Sequence, residues 1–350
     1  MHILIVGAGI AGVSAAEALT RFGRTVTLVE AEGVGAGATG VAAGLVNPFM
    51  GPKATPVWRH EWALDALGGL LDAADATLRY GLVRPARDAR QAEAFQARAA
   101  EHPEALTWLR AEEVTERWPA LRAPLGALDV HAGAVWADPA ADLARLVQRL
   151  ADEGRIRHVR ARLTAWGEDA DGAWAEVAHA GGPERLSADR VLLALGGGLA
   201  AFPVFQAMGL HAVKGEVHEA ACDGDLPAVA AGAYAVPAAP GRVHLGGTYD
   251  HAFTHVRPTD EARADLLSRL VPFLPNLRPL EGAAAWAGVR VNAPNRLPRV
   301  SPLPGHRRVW AFTALGSKGL LLAPLIAAYL PQWLPAPETI PEDFQLMDRT

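Results

Sequence analysis

Cysteine is almost absent from this sequence, since Cys222 is the single one among 350 residues. One cysteine cannot form an internal disulfide or supply a thiolate metal cluster, which fits a reducing compartment. Long apolar runs are also lacking: glycine and proline interrupt the stretch at 191–205, and the stretch at 319–330 is too short. No segment is therefore predicted to span a bilayer.

An excess of positive charge is lacking as well. Lys and Arg total 33 against 38 Asp and Glu, a formal charge of −5, so nucleic acid is not expected as the main partner. The apolar N-terminus has no basic segment before it, which argues against a signal peptide and favours a cytoplasmic protein. Half of the residues are hydrophobic, which excludes disorder over most of the chain.

What the sequence does contain is a dinucleotide-binding pattern at its start. Gly7, Gly9 and Gly12 follow a predicted strand over 2–6 and open a predicted helix that ends near Phe22. These glycines allow a tight turn, a close approach to a pyrophosphate and close packing of helix on strand. Glu30 ends the next predicted strand, where it can accept a hydrogen bond from a ribose hydroxyl. A glycine turn that binds nothing is disfavoured, but the motif alone does not separate FAD from NAD.

Two later features carry their own alternatives. The segment 33–51 is rich in glycine and alanine, so it is either a mobile loop or a cover for a planar ring, and its apolar part at 42–46 favours the cover. The segment 315–320 places small residues at a predicted helix start, whose N–H groups suit the edge of a flavin that becomes anionic on reduction. Lys318 would add positive charge there, or else be a solvated surface lysine.

Arg290 lies in an otherwise apolar predicted strand. An arginine in such a place needs a carboxylate partner, from the protein or from a substrate, and the sequence leaves both open.

The remaining pattern predicts strand-helix-strand segments at the start, middle and end, with β-rich chain between them. Helices are predicted over 56–80, 88–110 and 259–271, from Asp138-Pro139 to Gly154, and up to Leu330, where Pro324 should disturb the last one. Strands are predicted over 155–165, 173–180, 189–195 and 309–313, with a hairpin at 233–248, while 112–124 is expected to be irregular.

The chain resembles the family of D-amino acid oxidases and glycine oxidases over nearly its whole length. IVGAGIAGVSAAEAL, GATGVAAGLVNP, ADRVLLALGGG, GAYAVP, HLGGTY, AGVRV and LGSKGLLLAP carry the likeness, in the family's order. It implies an α/β fold, α+β overall, in which an antiparallel-sheet substrate domain is inserted into a discontinuous Rossmann-like FAD domain. The predicted FAD domain comprises 1–80, 138–212 and 296–345, and the predicted substrate domain comprises 81–137 and 213–295.

The resemblance also implies site residues. The implied FAD contacts are Gly7, Gly9, Ile10, Ala11, Gly12, Glu30, Ala31, Thr39, Ala42, Ala43, Gly44, Leu45, Leu163, Ala194, Gly196, Gly197, Gly316, Ser317, Lys318, Gly319 and Leu320. Arg290 is implied to bind a substrate carboxylate and Tyr234 to add a hydroxyl, with Tyr249 and Lys318 as further catalytic candidates. No histidine lies between His2 and His60, and Cys222 is far from the C-terminus, so FAD is expected to be non-covalent.

The implied reaction is the oxidation of the amine of an amino acid or related small amine. It proceeds by hydride transfer from Cα–H to flavin N5, followed by hydrolysis of the imine. Val291 replaces the proline that commonly follows the family's arginine, which bears on substrate identity. The alternatives are oxidation of an amine on a larger molecule such as a modified tRNA base, for which the chain has no room for a fused methyltransferase, and a silent flavin-binding protein. His251 and His255 alone have HxxxH spacing, so no metal site is predicted.

Overall fold

Two large β-sheets organise the chain. The computed structural model describes residues 1–346, apart from the side chains at positions 206 and 207. The first sheet has the strand order β20-β21-β13-β1-β2-β9, and all neighbours in it are parallel except β20 and β21. Its strands are β1 (His2–Val6), β2 (Thr25–Glu30), β9 (Ile156–Arg160), β13 (Arg190–Leu193), β20 (Arg299–Pro302) and β21 (Val309–Thr313).

This first sheet is covered on both faces, which explains the unbroken apolar run of β1. Ile3 and Ile5 pack against helices on one face, while Leu4 and Val6 pack against the small sheet β10-β11-β12 on the other. The strands of that small sheet are β10 (Arg162–Glu168), β11 (Ala173–His179) and β12 (Gly182–Ala188).

Helices α1, α3, α6 and α9 contribute to the core on the helical face. The helices are α1 (Ile10–Arg21), α2 (Ala38–Val41), α3 (His60–Ala74), α4 (Ala89–Glu101), α5 (Ala111–Arg117), α6 (Pro139–Asp152), α7 (Val204–Ala207), α8 (Asp260–Leu270) and α9 (Gly319–Trp333). Within the described range, the structure has no helix with both the length and the apolar character that a membrane crossing requires.

The second large sheet is mostly antiparallel and has the order β18-β14-β17-β16-β15-β6-β8-β3, with β19 also paired to β14 and β7 to β8. Its strands are β3 (Leu45–Val46), β6 (Leu78–Pro85), β7 (Leu106–Leu109), β8 (Ala127–Trp136), β14 (His211–Ala221), β15 (Ala228–Ala230), β16 (Tyr234–Ala239), β17 (Arg242–Gly246), β18 (Arg278–Pro279) and β19 (Ala285–Asn292). A two-stranded hairpin, β4 (Phe49–Met50) with β5 (Thr55–Pro56), lies beside it.

Most predicted elements are confirmed, including the strands around the first glycine turn. The helix start predicted at Asp138 is capped, since Asp138 accepts from Ala141 N at 3.0 Å. The helix predicted from Thr259 is capped as well, with Thr259 accepting from Ala262 N at 3.2 Å. The predicted α/β class with an inserted antiparallel sheet is also confirmed. The predicted FAD segments supply all six strands of the first sheet, and the predicted substrate segments supply most of the second. The domain bounds themselves stay a prediction.

Several local predictions are wrong. The helix predicted over 56–80 ends at Ala74, because residues from Leu78 onward pair with β8 as a strand. The helix predicted over 88–110 ends at Glu101, just before Pro103, and 106–109 form β7.

Three further corrections concern the segments 112–124, 155–165 and 319–330. Part of 112–124 is helical, since Ala111–Arg117 form α5 with Glu113 accepting from Arg110 N at 2.7 Å. The single strand predicted over 155–165 is divided between two sheets at Ala161. Pro324 lies inside α9 without interrupting it; its missing N–H costs that helix one hydrogen bond.

Candidate functional site

A continuous cavity of about 1110 Å³ lies between the two large sheets. The carboxyl ends of four parallel strands open onto it, through Gly7 after β1, Glu30 at the end of β2, Ala194 after β13 and Ala314 after β21. Ligands of open α/β sheets bind at this edge because the loops that follow parallel strands converge there. The other wall is the second sheet, so the cavity joins a nucleotide half to a substrate half.

In the nucleotide half, the first turn of α1 faces the cavity. Gly9, Ile10 and Ala11 line it, and Ile10 N donates to Thr39 Oγ1 at 3.0 Å, which ties the turn to α2. A Cβ added to Gly9 would meet only Thr39 Oγ1, at 3.4 Å, so the backbone there is open to a ligand. The first N–H groups of a helix have no intrahelical partner, which suits them to a phosphate.

Glu30 is oriented by the backbone around it. Its Oε2 accepts from Ala8 N at 2.8 Å and its Oε1 accepts from Glu32 N at 2.9 Å. Gly33 N also donates to Oε1, at 3.5 Å, so Oε2 is the oxygen that keeps a free lone pair toward the cavity that Glu30 lines. A ribose hydroxyl at this strand end would find a fixed acceptor.

Every predicted FAD contact lines the cavity except Gly12 and Gly44. A Cβ at Gly12 would lie 1.8 Å from the carbonyl oxygen of Gly7, and a Cβ at Gly44 would lie 1.8 Å from that of Trp136. Both glycines therefore permit close backbone packing beneath the cavity. For Gly12 this is the packing role that the sequence predicts.

The glycine- and alanine-rich segment is ordered structure rather than a free loop. It contains α2 and β3, and β3 pairs with β8. A Cβ at Gly288 of β19 would lie 3.2 Å from both Ala38 and Val41, so small residues let α2 approach the substrate sheet. Ala42, Ala43 and Leu45 line the cavity with apolar surface, as a cover over a planar ring requires.

Arg290 occupies the substrate half. Its paired residue in β14 is Val213, and its guanidinium lies over Gly215, where a Cβ would be 2.3 Å from Nη2. Nη2 donates to Thr248 O, and the guanidinium carbon lies 4.4 Å from the Tyr249 ring centroid. Nε is buried without a hydrogen-bond partner, and among the described residues no carboxylate forms an ion pair with Arg290. The arginine thus keeps donor capacity for a ligand.

Both predicted tyrosines adjoin Arg290. A Cβ built on Gly247 would lie 3.2 Å from the Tyr234 ring and 3.6 Å from Arg290 Nη1, so these two side chains meet above Gly247. Burial raises the pKa of Tyr234 to about 12, which keeps its hydroxyl a neutral hydrogen-bond donor at physiological pH. Tyr249 is 57% exposed and lies at the mouth of the cavity.

Lys318 also lines the cavity, half-buried at the turn before α9. Its Nζ donates to Arg296 O at 2.8 Å, and burial together with the nearby Arg296 lowers its pKa. The Lys318 side chain is therefore not fully solvated. Gly316, Ser317, Gly319 and Leu320 surround it on the same cavity wall.

Sequence reasoning did not find a buried ionic network behind β14. Glu216 accepts from Lys214 Nζ at 2.9 Å through Oε1 and lies 2.9 Å from His218 Nε2 through Oε2, and all three side chains are at most 5% exposed. Glu216 Oε2 also accepts from Thr259 N at 2.8 Å. These donors lower the pKa of Glu216 although burial opposes them. The alternation of the three polar residues at 214, 216 and 218 was the available signal.

The same stretch of β14 is tied to a segment that we call the rim, residues 247–259 between β17 and α8. Glu216 N donates to Thr248 Oγ1 at 2.8 Å, and Lys214 Nζ donates to Arg257 O at 3.2 Å. The rim carries Thr248, whose carbonyl oxygen accepts from Arg290, and Tyr249, over which the guanidinium lies. The back of the sheet thereby positions the partners of Arg290.

Sequence reasoning also missed Arg84 and Arg87, which line the cavity at the end of β6 and in the turn after it. Arg84 lies in the apolar run Leu82-Val83-Arg84-Pro85, the same signal that singles out Arg290.

The other conspicuous residues lie apart from this site. His251 and His255 are exposed in a non-helical part of the rim, and no metal-binding group of three or more His, Cys, Asp or Glu occurs within residues 1–346. Cys222 is buried in the core behind the second sheet.

Comparison with known proteins gives one family for the chain. The model of the DAO family, described as FAD dependent oxidoreductase, matches residues 2–333. Glycine oxidase of Pseudomonas aeruginosa is 31% identical over 340 residues, which cover 92% of each protein. The tRNA 5-methylaminomethyl-2-thiouridine biosynthesis bifunctional protein MnmC of Maricaulis maris is 32% identical, and the chain spans about half (50%) of that relative's length.

Solved structures show the same fold. Glycine oxidase from Geobacillus kaustophilus superposes with a TM-score of 0.81 at 22% identity, covering 99% of this chain and 98% of that one. Iminodiacetate oxidase from Chelativorans superposes with a TM-score of 0.77 at 23% identity, covering 98% of both chains.

Proposed function

The chain belongs to the DAO family of FAD dependent oxidoreductases, and we propose that it oxidises the amine of an amino acid or a related small amine. The observation that carries this proposal is Arg290. It is an arginine in the cavity with a buried, unpartnered Nε and no carboxylate partner among the described residues. A substrate carboxylate would complete its hydrogen bonds and offset its charge.

The nucleotide half fits FAD. We propose that Gly9 to Ala11 hold the pyrophosphate, that Glu30 holds the ribose of the adenosine, and that Ala42, Ala43 and Leu45 cover the ring system. FAD, when bound, supplies a two-electron acceptor for the C–H bond beside the amine. We expect attachment to be non-covalent, so that acid or heat releases the flavin from yellow protein.

The chain's own residues bind and orient the substrate. Arg290 takes the carboxylate, and the neutral Tyr234 hydroxyl donates a second hydrogen bond close to it. The rim carries the exposed Tyr249 ring over the guanidinium, which limits the access of water to the ion pair. Holding the amine in one geometry is the main contribution required from the protein, because C–H oxidation by the cofactor needs no side-chain acid or base.

Anaerobic mixing of the flavin-loaded protein with a panel of amino acids and secondary amines tests the proposal. We expect at least one of them to bleach the visible absorbance of the flavin, and the methyl ester of the same compound to fail. Bleaching by esters and acids alike would remove Arg290 from substrate binding. The absence of bleaching by every amine would favour a silent flavin protein.

A second candidate is an amine on a modified tRNA base, favoured by the 32% identity to the bifunctional protein of Maricaulis maris. The formal charge of −5 offers little attraction to a phosphate backbone, so we rank this candidate second. If tRNA from a strain without the bifunctional protein bleached the flavin and no free amine did, the modified tRNA base would become the first candidate substrate.

A further inference from the structure

The substrate half of the cavity holds more positive charge than one substrate carboxylate offsets. Arg84, Arg87 and Arg290 all line it. Within residues 1–346, none of the three forms an ion pair with a carboxylate. Glu216 borders this half, but its carboxylate lies on the opposite face of β14, where it is already paired with Lys214 and His218. Arg290 accounts for one ligand anion. Arg87 is exposed, so solvent can offset its charge, and the charge of the buried Arg84 remains to be explained.

Arg84 is an unusual buried arginine. It is 7% exposed, and its Nη1 and Nη2 donate to Phe49 O and Gly51 O, each at 2.5 Å. These carbonyl oxygens satisfy hydrogen bonds but do not neutralise a charge, and Nε has no partner. Burial, with a smaller contribution from Arg87, lowers the pKa of Arg84 to about 10, so the group still carries its charge at neutral pH. A buried charge without a counter-charge is costly unless a ligand supplies one.

Arg87 extends this wall toward Tyr234. Its Nε donates to Gln91 Oε1 at 3.2 Å, and Gln91 Nε2 donates to Pro52 O at 3.0 Å. A Cβ on Gly232 would lie 3.1 Å from Arg87 Nη1, which places the guanidinium over the turn between β15 and β16. Gly232 and Gln91 line the cavity too. We call this region, formed by Arg84, Arg87 and Gln91, the distal corner.

We infer that the substrate carries a second carboxylate, remote from the amine, and that the distal corner binds it. This inference rests on the proposed function, since it takes the first carboxylate to lie on Arg290. The substrate class is then an amino acid or secondary amine whose side arm ends in a second carboxylate.

The sheet order sets the length of that arm. The Arg290 guanidinium lies beside Gly215 of β14 and Gly247, which follows β17. In the order β17-β16-β15-β6, three strand spacings, roughly 14 Å, separate the end of β17 from the strand of Arg84. The arginine side chains shorten the distance between the guanidinium groups. We therefore expect dicarboxylates with a chain of several carbons between the two carboxylates to fit better than short ones.

Ligand binding to the flavin-loaded protein tests the inference without turnover. Glutarate, pimelate and azelate are titrated against pentanoate, heptanoate and nonanoate, and binding is followed through the perturbation of the flavin absorbance. We expect pimelate or azelate to bind about tenfold more tightly than its monocarboxylate partner, because each adds a charged hydrogen-bonded contact. Arg87→Met should abolish this preference while monocarboxylate affinity is retained, and Arg84→Lys should reduce it.

Arg90→Met is the matched control, because Arg90 is exposed at the start of α4, the helix that carries Gln91, and lies outside the cavity lining. It should keep the full preference for the long dicarboxylates. Equal affinities for mono- and dicarboxylates of every length in the wild type would overturn the inference while leaving the proposed function intact. A preference that survives in both Arg87→Met and Arg84→Lys would overturn it as well. Failure of every carboxylate to perturb the flavin would instead contradict the proposed function.

Discussion

Lys214 Nζ lies 2.9 Å from Glu216 Oε1, and both side chains are almost completely buried behind the strand that carries Gly215. The pair faces away from Arg290, since side chains alternate along a strand and Arg290 lies over Gly215. The same two residues also bond to the rim, since Glu216 donates through its backbone N–H to Thr248 Oγ1 and Lys214 donates through Nζ to Arg257 O. One strand segment thus carries a buried ion pair on one face and, through its backbone, holds Thr248, a partner of Arg290, beside the other face.

Removing the charge of Glu216 should therefore destabilise the protein. Glu216→Gln leaves the buried Lys214 with only the more distant Asp250 carboxylate, which lies 3.8 Å from its Nζ and is 41% exposed. The free energy of unfolding should therefore fall by up to about 3–5 kcal/mol. Glu219→Gln is the control, because Glu219 pairs with a half-exposed Arg242 and should cost at most about 1 kcal/mol. Urea unfolding of the three proteins measures both values, and equal losses would show that the network contributes no more than a surface pair.

The same network predicts a pH dependence. The folded protein lowers the pKa of Glu216 below its ordinary value of 4.5, so the ionised carboxylate stabilises the folded state. This contribution is fully present above pH 4.5 and is lost as the pH falls through the lower folded value. Urea unfolding at a series of pH values should show that wild type loses this increment below that pH and Glu216→Gln does not. Parallel curves would contradict the assignment.

Gly9→Val should give folded but colourless protein. The added side chain has room in the empty fold, since its Cβ meets only Thr39 Oγ1 at 3.4 Å, but it would occupy the pyrophosphate position. Absorbance at the flavin maximum and far-UV circular dichroism measure the two properties. Gly33→Val is the control, because nothing lies within 4 Å of a Cβ there and the residue is outside the cavity lining. A yellow Gly9→Val protein would exclude Gly9 from the FAD site.

Arg290→Ala should weaken carboxylate binding and leave FAD in place. Loss of the charged contact should cost about 2–5 kcal/mol of ligand affinity, because the carboxylate would be left unpaired in the cavity. The measurement is the dissociation constant of a monocarboxylate, followed through the flavin absorbance, together with the flavin content. Arg290→Lys should recover only part of the affinity, since lysine lacks the planar pair of donors. Unchanged affinity in Arg290→Ala would give Arg290 a structural role only.

Lys318→Met should lower the reduction potential of the bound flavin. Reduction adds negative charge to the flavin, and an ammonium on the cavity wall favours that state by about 1–3 kcal/mol if water is excluded. The affinity for oxidised FAD should change little, because the effect depends on the reduced state. A redox titration of both proteins tests this prediction. Equal potentials would mean that only the backbone N–H groups of the turn at 315–320 stabilise the reduced flavin.

The nucleotide half of this protein could be predicted from the sequence because its information is local. The first thirty residues contain, in order, β1, the glycine turn, α1, β2 and Glu30. The apolar pattern of each element predicts which of its faces is buried. Gly12 could be assigned to packing, and Gly9 to ligand approach, from their places in the turn alone. The short strands of the second sheet carry no such local signal, which is why 78–80 and 106–109 were predicted as helix.

The substrate half was decided by tertiary structure. Arg84 and Arg290 both look like lone arginines in apolar strands. The sequence cannot tell that both face one cavity, since that depends on a series of strand pairings, from β6 through β15, β16, β17 and β14 to β19. The polar alternation at Lys214, Glu216 and His218 is visible in the sequence, yet it reads as a solvent-exposed face. Only the packing of the rim over that face buries the three side chains, because burial is a property of what covers a strand and not of the strand itself.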